Sequence, residues 1–298
     1  MKPSVCLLTA YNSAQQPLSA FTVPRMHAFA QAQNYEVRVV HRDNWERQRG
    51  WIKIEAIREA IDSNFDFLFW IDVDAVILRC EVDVRTAAVD NADLHMVWHG
   101  PDTSKLEALD FVPHFNTGIM LIRVTDWSRN FFRRVWEVGQ LPHPWADQAT
   151  ILHLLGYDGC LALGPNRPEE SNRSRLARLD TAWNSIPGIA TAPNPIIHHY
   201  AGIVNLGTRL RLIEVDARTV PLREAASPDL RQAFDCQFGL WREDATIRDS
   251  VTAERDAARI EVLALRNSNS WKLSAALRRT GDFFGRVRRR IKSSINQK

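Results

Sequence analysis

The sequence predicts an α/β fold built on a mostly parallel sheet, and three observations support it. Compact apolar runs, typical of buried strands, alternate along the first part of the chain with segments of helical periodicity. Strands that alternate with helices favour parallel pairing through right-handed crossovers. The chain has 298 residues, 45% of them hydrophobic and 24% charged, so it is long enough to bury the core that such a sheet needs.

The first elements alternate regularly between strand and helix. In the second predicted helix Ile54, Ile57 and Ile61 recur at a spacing that builds one apolar face. The predicted elements are a strand at 5–10, a helix at 18–33, a strand at 36–40, a helix at 51–63 and a strand at 67–71. Ligands of open α/β sheets bind beyond the carboxyl ends of the strands. The residues after the first and third strands are therefore the first candidates for a site.

The remaining elements are less regular. We predict strands at 94–97 and 118–124 and helices at 127–138 and 146–155. The segment 164–174, rich in Pro, Asn, Glu and Arg, predicts a loop. The pattern from 249 to 265 is helical and charged. We expect one domain over 1–245, followed by a helical, basic C-terminal tail over 246–298.

Cysteine use and hydropathy indicate the compartment. The four cysteines are far apart and form no C-x-x-C pair, which argues against a disulfide framework or a structural zinc site and favours a reducing environment. The apolar run at 5–10 is too short for the core of a signal peptide. No later run reaches the ~18 apolar residues of a membrane span. We therefore expect a cytoplasmic protein.

Two carboxylates one residue apart, Asp72 and Asp74, follow the apolar third strand. Acids at the end of a buried strand cost desolvation energy unless a cation lies beside them. Mg²⁺ and Mn²⁺ bind carboxylate oxygens and bridge them to substrate phosphates. The pattern therefore predicts a divalent metal site, with a solvated turn that carries two acids as the alternative.

A metal that bridges to phosphate fits two chemistries, sugar transfer from a nucleotide and phosphoryl transfer of the haloacid-dehalogenase type. The segment 72–76 satisfies the D-x-D-x-[TV] signature of the second, in which the first Asp is the nucleophile. That site also needs a lysine and a later acidic pair. Lys105 is the only lysine between residues 54 and 271, and no strand-terminal acidic pair follows it. Sugar transfer is favoured, and a phosphatase is the alternative.

Further motifs follow the acidic pair in a fixed order. They are Phe115-Asn116-Thr117-Gly118 before an apolar strand, Trp145-Ala146-Asp147-Gln148 at a helix start, Trp183-Asn184, and His198-His199-Tyr200-Ala201-Gly202. With Arg25, Tyr35, Trp51 and Lys53 upstream, this order resembles the retaining galactosyl- and xylosyltransferases of fungal mannan and plant xyloglucan synthesis. The resemblance covers roughly residues 3–210 and implies the GT-A nucleotide-diphospho-sugar transferase fold, which is Rossmann-like with a mostly parallel mixed sheet.

The resemblance also implies the roles of individual residues. Asp72, Asp74 and His199 match the ligands of a Mn²⁺ or Mg²⁺ ion that bridges the donor diphosphate, and the imidazole favours Mn²⁺. Asp147 and Gln148 match residues near the anomeric carbon, and Asn116 matches one near the sugar or acceptor. The remaining positions implied for donor binding are Thr9, Ala10, Tyr11, Arg25, Lys53 and Gly202, together with Asp72 itself.

The function implied is metal-dependent transfer of a hexosyl or pentosyl unit from a nucleotide diphosphate sugar, with UDP as the implied nucleotide, to a glycan or lipid-linked acceptor with retention. One position departs from the pattern. Relatives place a lysine six residues after the ligand histidine to hold the diphosphate, and here that residue is Asn205. Arg209 and Arg211 are candidates to replace it. The missing lysine leaves a catalytically degenerate, glycan-binding homologue as a further alternative.

The C-terminal tail carries a charge of its own. Residues 266–298 hold ten Lys/Arg against one acid, a net +9, whereas the first 265 residues carry −6. The segment around Trp271 resembles the S-x-S-W-R-L-T-x-P-L-R segment that ends many bacterial polysaccharide-assembly enzymes. A basic helix with an apolar stripe lies well in an anionic interface, so we expect peripheral contact with the inner face of the membrane. A solubilising tail is the alternative, and no nucleic-acid partner is expected because no stacking platform accompanies the charge.

Overall fold

The computed structural model describes residues 2–43, 51–100, 113–187, 190–203 and 205–219. The strands are β1 (Val5–Tyr11), β2 (Glu36–His41), β3 (Phe67–Ile71), β4 (Ala75–Ile77), β5 (Leu94–His99), β6 (His114–Arg123), β7 (Leu176–Leu179) and β8 (Ile197–His199). The α-helices are α1 (Gln16–Gln33), α2 (Trp51–Ile61), α3 (Asp126–Val138), α4 (Ala146–Leu154), α5 (Glu170–Arg173) and α6 (Leu206–Thr219). Short 3-10 helices cover Val84–Ala87, Asp158–Leu161 and Thr181–Asn184.

The strands form one mixed six-stranded sheet and one small two-stranded sheet. The order of the large sheet is β2-β1-β3-β6-β5-β7. Strand β1 pairs in parallel with β2 and β3, and β5 pairs in parallel with β7, while β6 runs antiparallel to both of its neighbours. The small sheet is the antiparallel pair of β4 and β8. The predicted α/β architecture with a mostly parallel mixed sheet is confirmed.

Strand β3 is apolar throughout because helices cover both faces of the large sheet. In β3, Leu68 and Trp70 point into the cluster formed with α2, α3 and α4. Phe67, Phe69 and Ile71 alternate with them and enter the cluster on the α1 side. Because side chains of a strand alternate between faces, a strand buried on both sides needs an uninterrupted apolar run. This is the run from which the sequence predicted β3.

Several helices and strands begin at other residues than predicted. Helix α1 begins two residues early because Pro17 is tolerated in the first turn of a helix. Strand β6 begins at His114 rather than at residue 118, so Asn116 lies inside the strand. The predicted loop at 164–174 was wrong in part, because it contains the single turn α5. Helix α6 was not predicted.

A third apolar cluster fixes α6 against the turn that follows β3. Val73 in that turn packs with Leu210 and Ile213 of α6 and with Leu18 of α1. None of the described helices has the length and apolar character needed to cross a bilayer. The expected domain boundary at residue 245 and the basic tail lie outside the described residues.

Candidate active site

The turn after β3 brings together the side chains predicted to bind metal. The chain turns at Asp72–Asp74 and continues as β4, in which Ala75 pairs directly with His199 of β8. The main chain closes this arrangement, since Tyr200 N–H donates to the Asp74 carbonyl over 3.1 Å. One ligand atom each of Asp72, Asp74 and His199 then lies within 4.8 Å of the others. The ring of His198 pairs instead with Asp216 of α6, its Nδ1 being 2.7 Å from Oδ2.

The three side chains form a donor set suited to a divalent cation. His199 Nε2 lies 3.3 Å from Asp74 Oδ1 and 3.8 Å from Asp72 Oδ2. Arg209 of α6 approaches the other side of Asp74, with 2.9 Å between the guanidinium and Oδ2. Burial alone would raise the pKa of Asp74, but the charged form of His199 and the Arg209 guanidinium outweigh it and lower that pKa. Two carboxylates and one imidazole are the ligand types that Mn²⁺ accepts and, with less preference, Mg²⁺.

Lys53 of α2 lies between two carboxylates on the other side of Asp72. Its Nζ is 3.1 Å from Asp72 Oδ1 and 3.1 Å from Asp147 Oδ2, and it donates to the Thr117 carbonyl. Burial opposes the charge on Lys53, but the two carboxylates prevail and raise its pKa. For Asp147, burial raises the pKa and Asp72 adds to the rise, while Lys53 opposes it. Lys53 therefore stays charged beside Asp147, a carboxyl group whose own pKa remains raised.

Gly118 of β6 allows the backbone of that strand to lie close to the ring of His199. A Cβ atom at Gly118 would lie 2.0 Å from His199 Cε1, so the imidazole rests directly against the glycine backbone. Thr117 N–H donates to Gln148 Oε1 over 3.1 Å, which ties β6 to α4. Ala146, the first residue of α4, has a φ of 46°, a strained conformation for a residue other than glycine. The adjacent Asp147 is buried.

A cavity of about 630 Å³ opens over these groups. Eight of the predicted site residues line it: Lys53, Asp72, Asp74, Asn116, Asp147, Gln148, His199 and Gly202. The cavity wall also includes His114 and Trp145, whose ring centroids are 4.3 Å apart and whose planes are inclined by 33°. Neither residue was predicted, although Trp145 lies in the W-x-D-Q motif and His114 alternates with Asn116 along one strand.

Four predicted donor residues do not line this cavity. Arg25 is buried, and its guanidinium donates to the carbonyls of Ile77 and Ala217, which joins β4 to α6. Thr9 is also fully buried at the end of β1, next to Ala10. Tyr11 is half-buried and packs against His41, with 5.1 Å between ring centroids. Their roles toward the donor stay predictions.

The position of the missing lysine has a structural explanation. Asn205 Oδ1 accepts from Thr208 N–H and thereby caps the first turn of α6. Arg209, one turn further along α6, enters the cavity wall, whereas Arg211 is exposed. Of the two arginines considered as replacements, the structure brings Arg209 to the side chains predicted to bind metal.

Comparison with known proteins shows the fold. No family model and no curated protein matches the sequence. A solved glycosyltransferase involved in glycosylation of the major capsid of PBCV-1 superposes with a TM-score of 0.53 at 14% identity, over 72% of this chain and 100% of that one. Galactosyltransferase LgtC gives 0.43 at 12% identity over 76% and 99%. Glycosyltransferase GlyE of Streptococcus pneumoniae TIGR4 gives 0.46 at 16% over 80% and 64%. The likeness to the first structure confirms the predicted GT-A fold.

Proposed function

We propose that this chain is a metal-dependent glycosyltransferase that moves a sugar from a nucleoside diphosphate donor to a glycan or lipid-linked acceptor. The observation that carries the proposal is the meeting of Asp72, Asp74 and His199 at the carboxyl end of β3, in a GT-A fold. The first two residues are far from the third in sequence, and β4–β8 pairing brings them together. A retaining reaction, a UDP donor and Mn²⁺ as the preferred ion are the finer parts of the proposal, and they rest on the motif resemblance.

We propose that the turn at Asp72–Asp74 and helix α6 bind the diphosphate of the donor. Asp72, Asp74 and His199 would hold the divalent ion, which when bound supplies positive charge to the leaving diphosphate. Arg209 donates to the side of Asp74 away from His199. Its planar guanidinium is suited to phosphate oxygens, and we propose that it takes the place of the lysine absent at position 205.

We propose that the donor sugar binds in the part of the cavity lined by Asp147, Gln148, Trp145 and His114. Lys53 holds Asp147 in place, and α4 carries Gln148 beside it into the cavity. A buried carboxylate faces low dielectric, where it stabilises positive charge developing on an anomeric carbon more strongly than in water. The wall of Trp145 and His114 presents aromatic surface of the kind that packs against sugar rings. We propose that Asp147 and Gln148 act at the anomeric carbon and that Asn116 stands near the sugar or acceptor.

The proposal is tested with purified protein, a panel of nucleotide sugars and Mn²⁺ or Mg²⁺, measuring release of free nucleoside diphosphate. Asp72→Asn or Asp74→Asn should lower that release roughly 10²–10³-fold, the usual cost of one charge-stabilising group. Asp126→Asn, the same change at a fully exposed side chain outside the cavity, is the matched control. Release at the wild-type rate without divalent metal would contradict the metal role.

The position of Lys53 beside Asp72 favours a phosphatase as a second candidate function, which the same experiment tests. A dehalogenase-type site needs a lysine beside the first aspartate, and Lys53 occupies that position at Asp72. Against it, β3 is flanked by the antiparallel strand β6, and the superposition is with a glycosyltransferase. Metal-dependent phosphate release from p-nitrophenyl phosphate, with no cleavage of any nucleotide sugar, would favour the phosphatase.

A further inference from the structure

A chain of hydrogen bonds behind the metal-binding side chains links three motifs that are distant in sequence. It runs from β6 through the 3-10 helix Thr181–Asn184 to β8. Asn116, Asn184 and His199 form it, and their exposed fractions are 7%, 0% and 2%. Buried polar groups of this kind are expected to satisfy one another, because an unpaired one costs ~1–3 kcal/mol.

The main chain fixes the orientation of the first amide in this chain. Gly118 N–H can only donate, and it lies 2.8 Å from Asn116 Oδ1. That contact identifies the atom as the amide oxygen. The same oxygen accepts from Asn184 Nδ2 over 2.9 Å, so the amide of Asn184 is fixed in turn.

The second amide then determines which nitrogen of His199 carries the proton. Asn184 Oδ1 lies 2.9 Å from His199 Nδ1, and an amide oxygen can only accept. The proton of the neutral ring is therefore on Nδ1. Nε2 keeps its lone pair and faces Asp72 and Asp74, which is the state in which an imidazole binds a metal.

Further contacts hold Asn184 itself. His99 Nε2 donates to its carbonyl oxygen over 2.8 Å, and burial lowers the pKa of His99 to about 4, so that ring is neutral in the physiological range. The next residue, Ser185, accepts from the main-chain N–H of His199 over 2.8 Å. Asn184 is thus tied to β5 and β6 and, through its side chain and its neighbour, to β8.

We propose that Asn184 is a positioning residue, which together with Asn116 sets the Nδ1-protonated tautomer of His199 and so prepares Nε2 as a metal ligand. This inference deepens the proposed function and rests on it for the identity of the metal site. These hydrogen bonds join one residue from each of the N-x-G, W-N and H-x-A-G motifs. Gly118 N–H fixes the orientation of the Asn116 amide, and the absence of a Cβ at Gly118 leaves room for the His199 ring. Asn116 Oδ1 fixes the Asn184 amide, whose Oδ1 then accepts from His199 Nδ1.

The tautomer is measured directly on metal-free protein. Long-range ¹⁵N–¹H correlation spectra of the full-length chain, at a pH above which the ring shifts no longer change, distinguish a protonated Nδ1 from a protonated Nε2. The resonance that disappears in His199→Gln assigns the ring. We expect a protonated Nδ1 in the wild type and in Asn184→Asp, whose carboxylate still accepts from Nδ1 although it can no longer donate to Asn116 Oδ1. In Asn184→Leu we expect the other tautomer or a mixture.

Mn²⁺ titration calorimetry on the same proteins supplies the second readout. Loss of a partner behind a metal ligand typically weakens metal binding 10–100-fold, so Asn184→Leu should show that change, whereas Asn184→Asp should bind Mn²⁺ no more weakly than wild type. A proton on Nε2 in the wild type overturns the inference, whether or not the variants fold. Folded Asn184→Leu with unchanged ring shifts and Mn²⁺ affinity also overturns it.

The same data separate the failure of this inference from failure of the proposed function. Wild-type protein that shows the Nδ1 tautomer yet binds no divalent ion would refute the metal site and leave the tautomer assignment standing. Mn²⁺ binding by a protein that shows the Nε2 tautomer without metal would refute the tautomer assignment and leave the metal site standing.

Discussion

The ammonium of Lys53 lies between the carboxylates of Asp72 and Asp147, so its replacement by methionine tests the charge balance of the site. Methionine keeps an unbranched chain that packs as the lysine stem does and removes only the ammonium. Asp72 Oδ1 and Asp147 Oδ2, each 3.1 Å from Nζ in the wild type, would then lack the cation between them. Removing one partner of a buried pair costs ~3–5 kcal/mol. We expect Lys53→Met to lower the free energy of unfolding near pH 8 by about that amount, measured by urea denaturation.

The pH dependence separates the charge effect from packing. Lys53 opposes the rise in the pKa of Asp147, so without it that pKa moves further above its unfolded value. A carboxyl group whose pKa is raised in the folded state lowers stability by its full amount above that pKa. The loss diminishes as pH falls toward the unfolded-state pKa and is absent where both states are protonated. The wild-type ammonium stays charged across this range, because its own pKa is raised. The deficit of Lys53→Met should therefore shrink as pH falls from 8 toward ~5.

A second substitution supplies the control. Adding Asp147→Asn to Lys53→Met removes one of the uncompensated charges, and the double variant should be more stable at pH 8 than Lys53→Met alone. Coupling between residues in contact is typically ~0.5–3 kcal/mol. A deficit that is constant between pH 8 and 5 and unaffected by Asp147→Asn would refute this reasoning, because it would assign the whole cost to the packing of the side-chain stem.

Two further predictions concern the metal ligand and the tail. Gly118→Ala places a Cβ 2.0 Å from His199 Cε1, so it should displace the ring and weaken Mn²⁺ binding at least tenfold in calorimetry; an unchanged Kd would show that the ring moves aside without loss. Removing residues 266–298 takes away a net charge of +9 and should reduce co-sedimentation with anionic vesicles, most strongly at low salt, where screening over the Debye length is weakest. Equal sedimentation of intact and truncated protein at both salt concentrations would reject a membrane role for the tail.

Local signals were sufficient for the elements that carry most of the sheet. Strand β3 was predicted with its observed bounds, because a run buried on both faces must be apolar throughout and is sharply ended by Asp72. Helix α2 was found from one apolar face. The D-x-D pair, Lys53 and residues of three later motifs were predicted and line one cavity, whereas the Trp183-Asn184 motif is buried outside its lining. Each of these signals comes from residues adjacent in sequence or from a motif that fixes a short segment.

The parts that were missed depend on contacts between distant segments. Strands β4 and β8 have three residues each, too few for a periodic pattern, and they form a sheet by pairing with each other across a long stretch of sequence. The buried guanidinium of Arg25 donates to main-chain carbonyls in β4 and α6, and nothing in the sequence near Arg25 indicates either partner. Asn116 was predicted from its motif as a residue near the sugar or acceptor. That its Oδ1 also orients Asn184 follows only from the folded geometry.

The charges around the cavity also bear on the order in which ligands bind. Among the described side chains of its wall, the carboxylates of Asp72, Asp74 and Asp147 face one ammonium and one guanidinium, which leaves one net negative charge when His199 is neutral. Such a site attracts a divalent cation and repels a free diphosphate. With the cation present the balance becomes one net positive charge, which favours a diphosphate. We therefore expect UDP, as a probe of the donor, to bind weakly to metal-free protein and at least tenfold more tightly with Mn²⁺ present, measured by calorimetry. Equal UDP affinity with and without Mn²⁺ would contradict this expectation. It would indicate that Lys53 and Arg209 leave their carboxylates and bind the diphosphate directly.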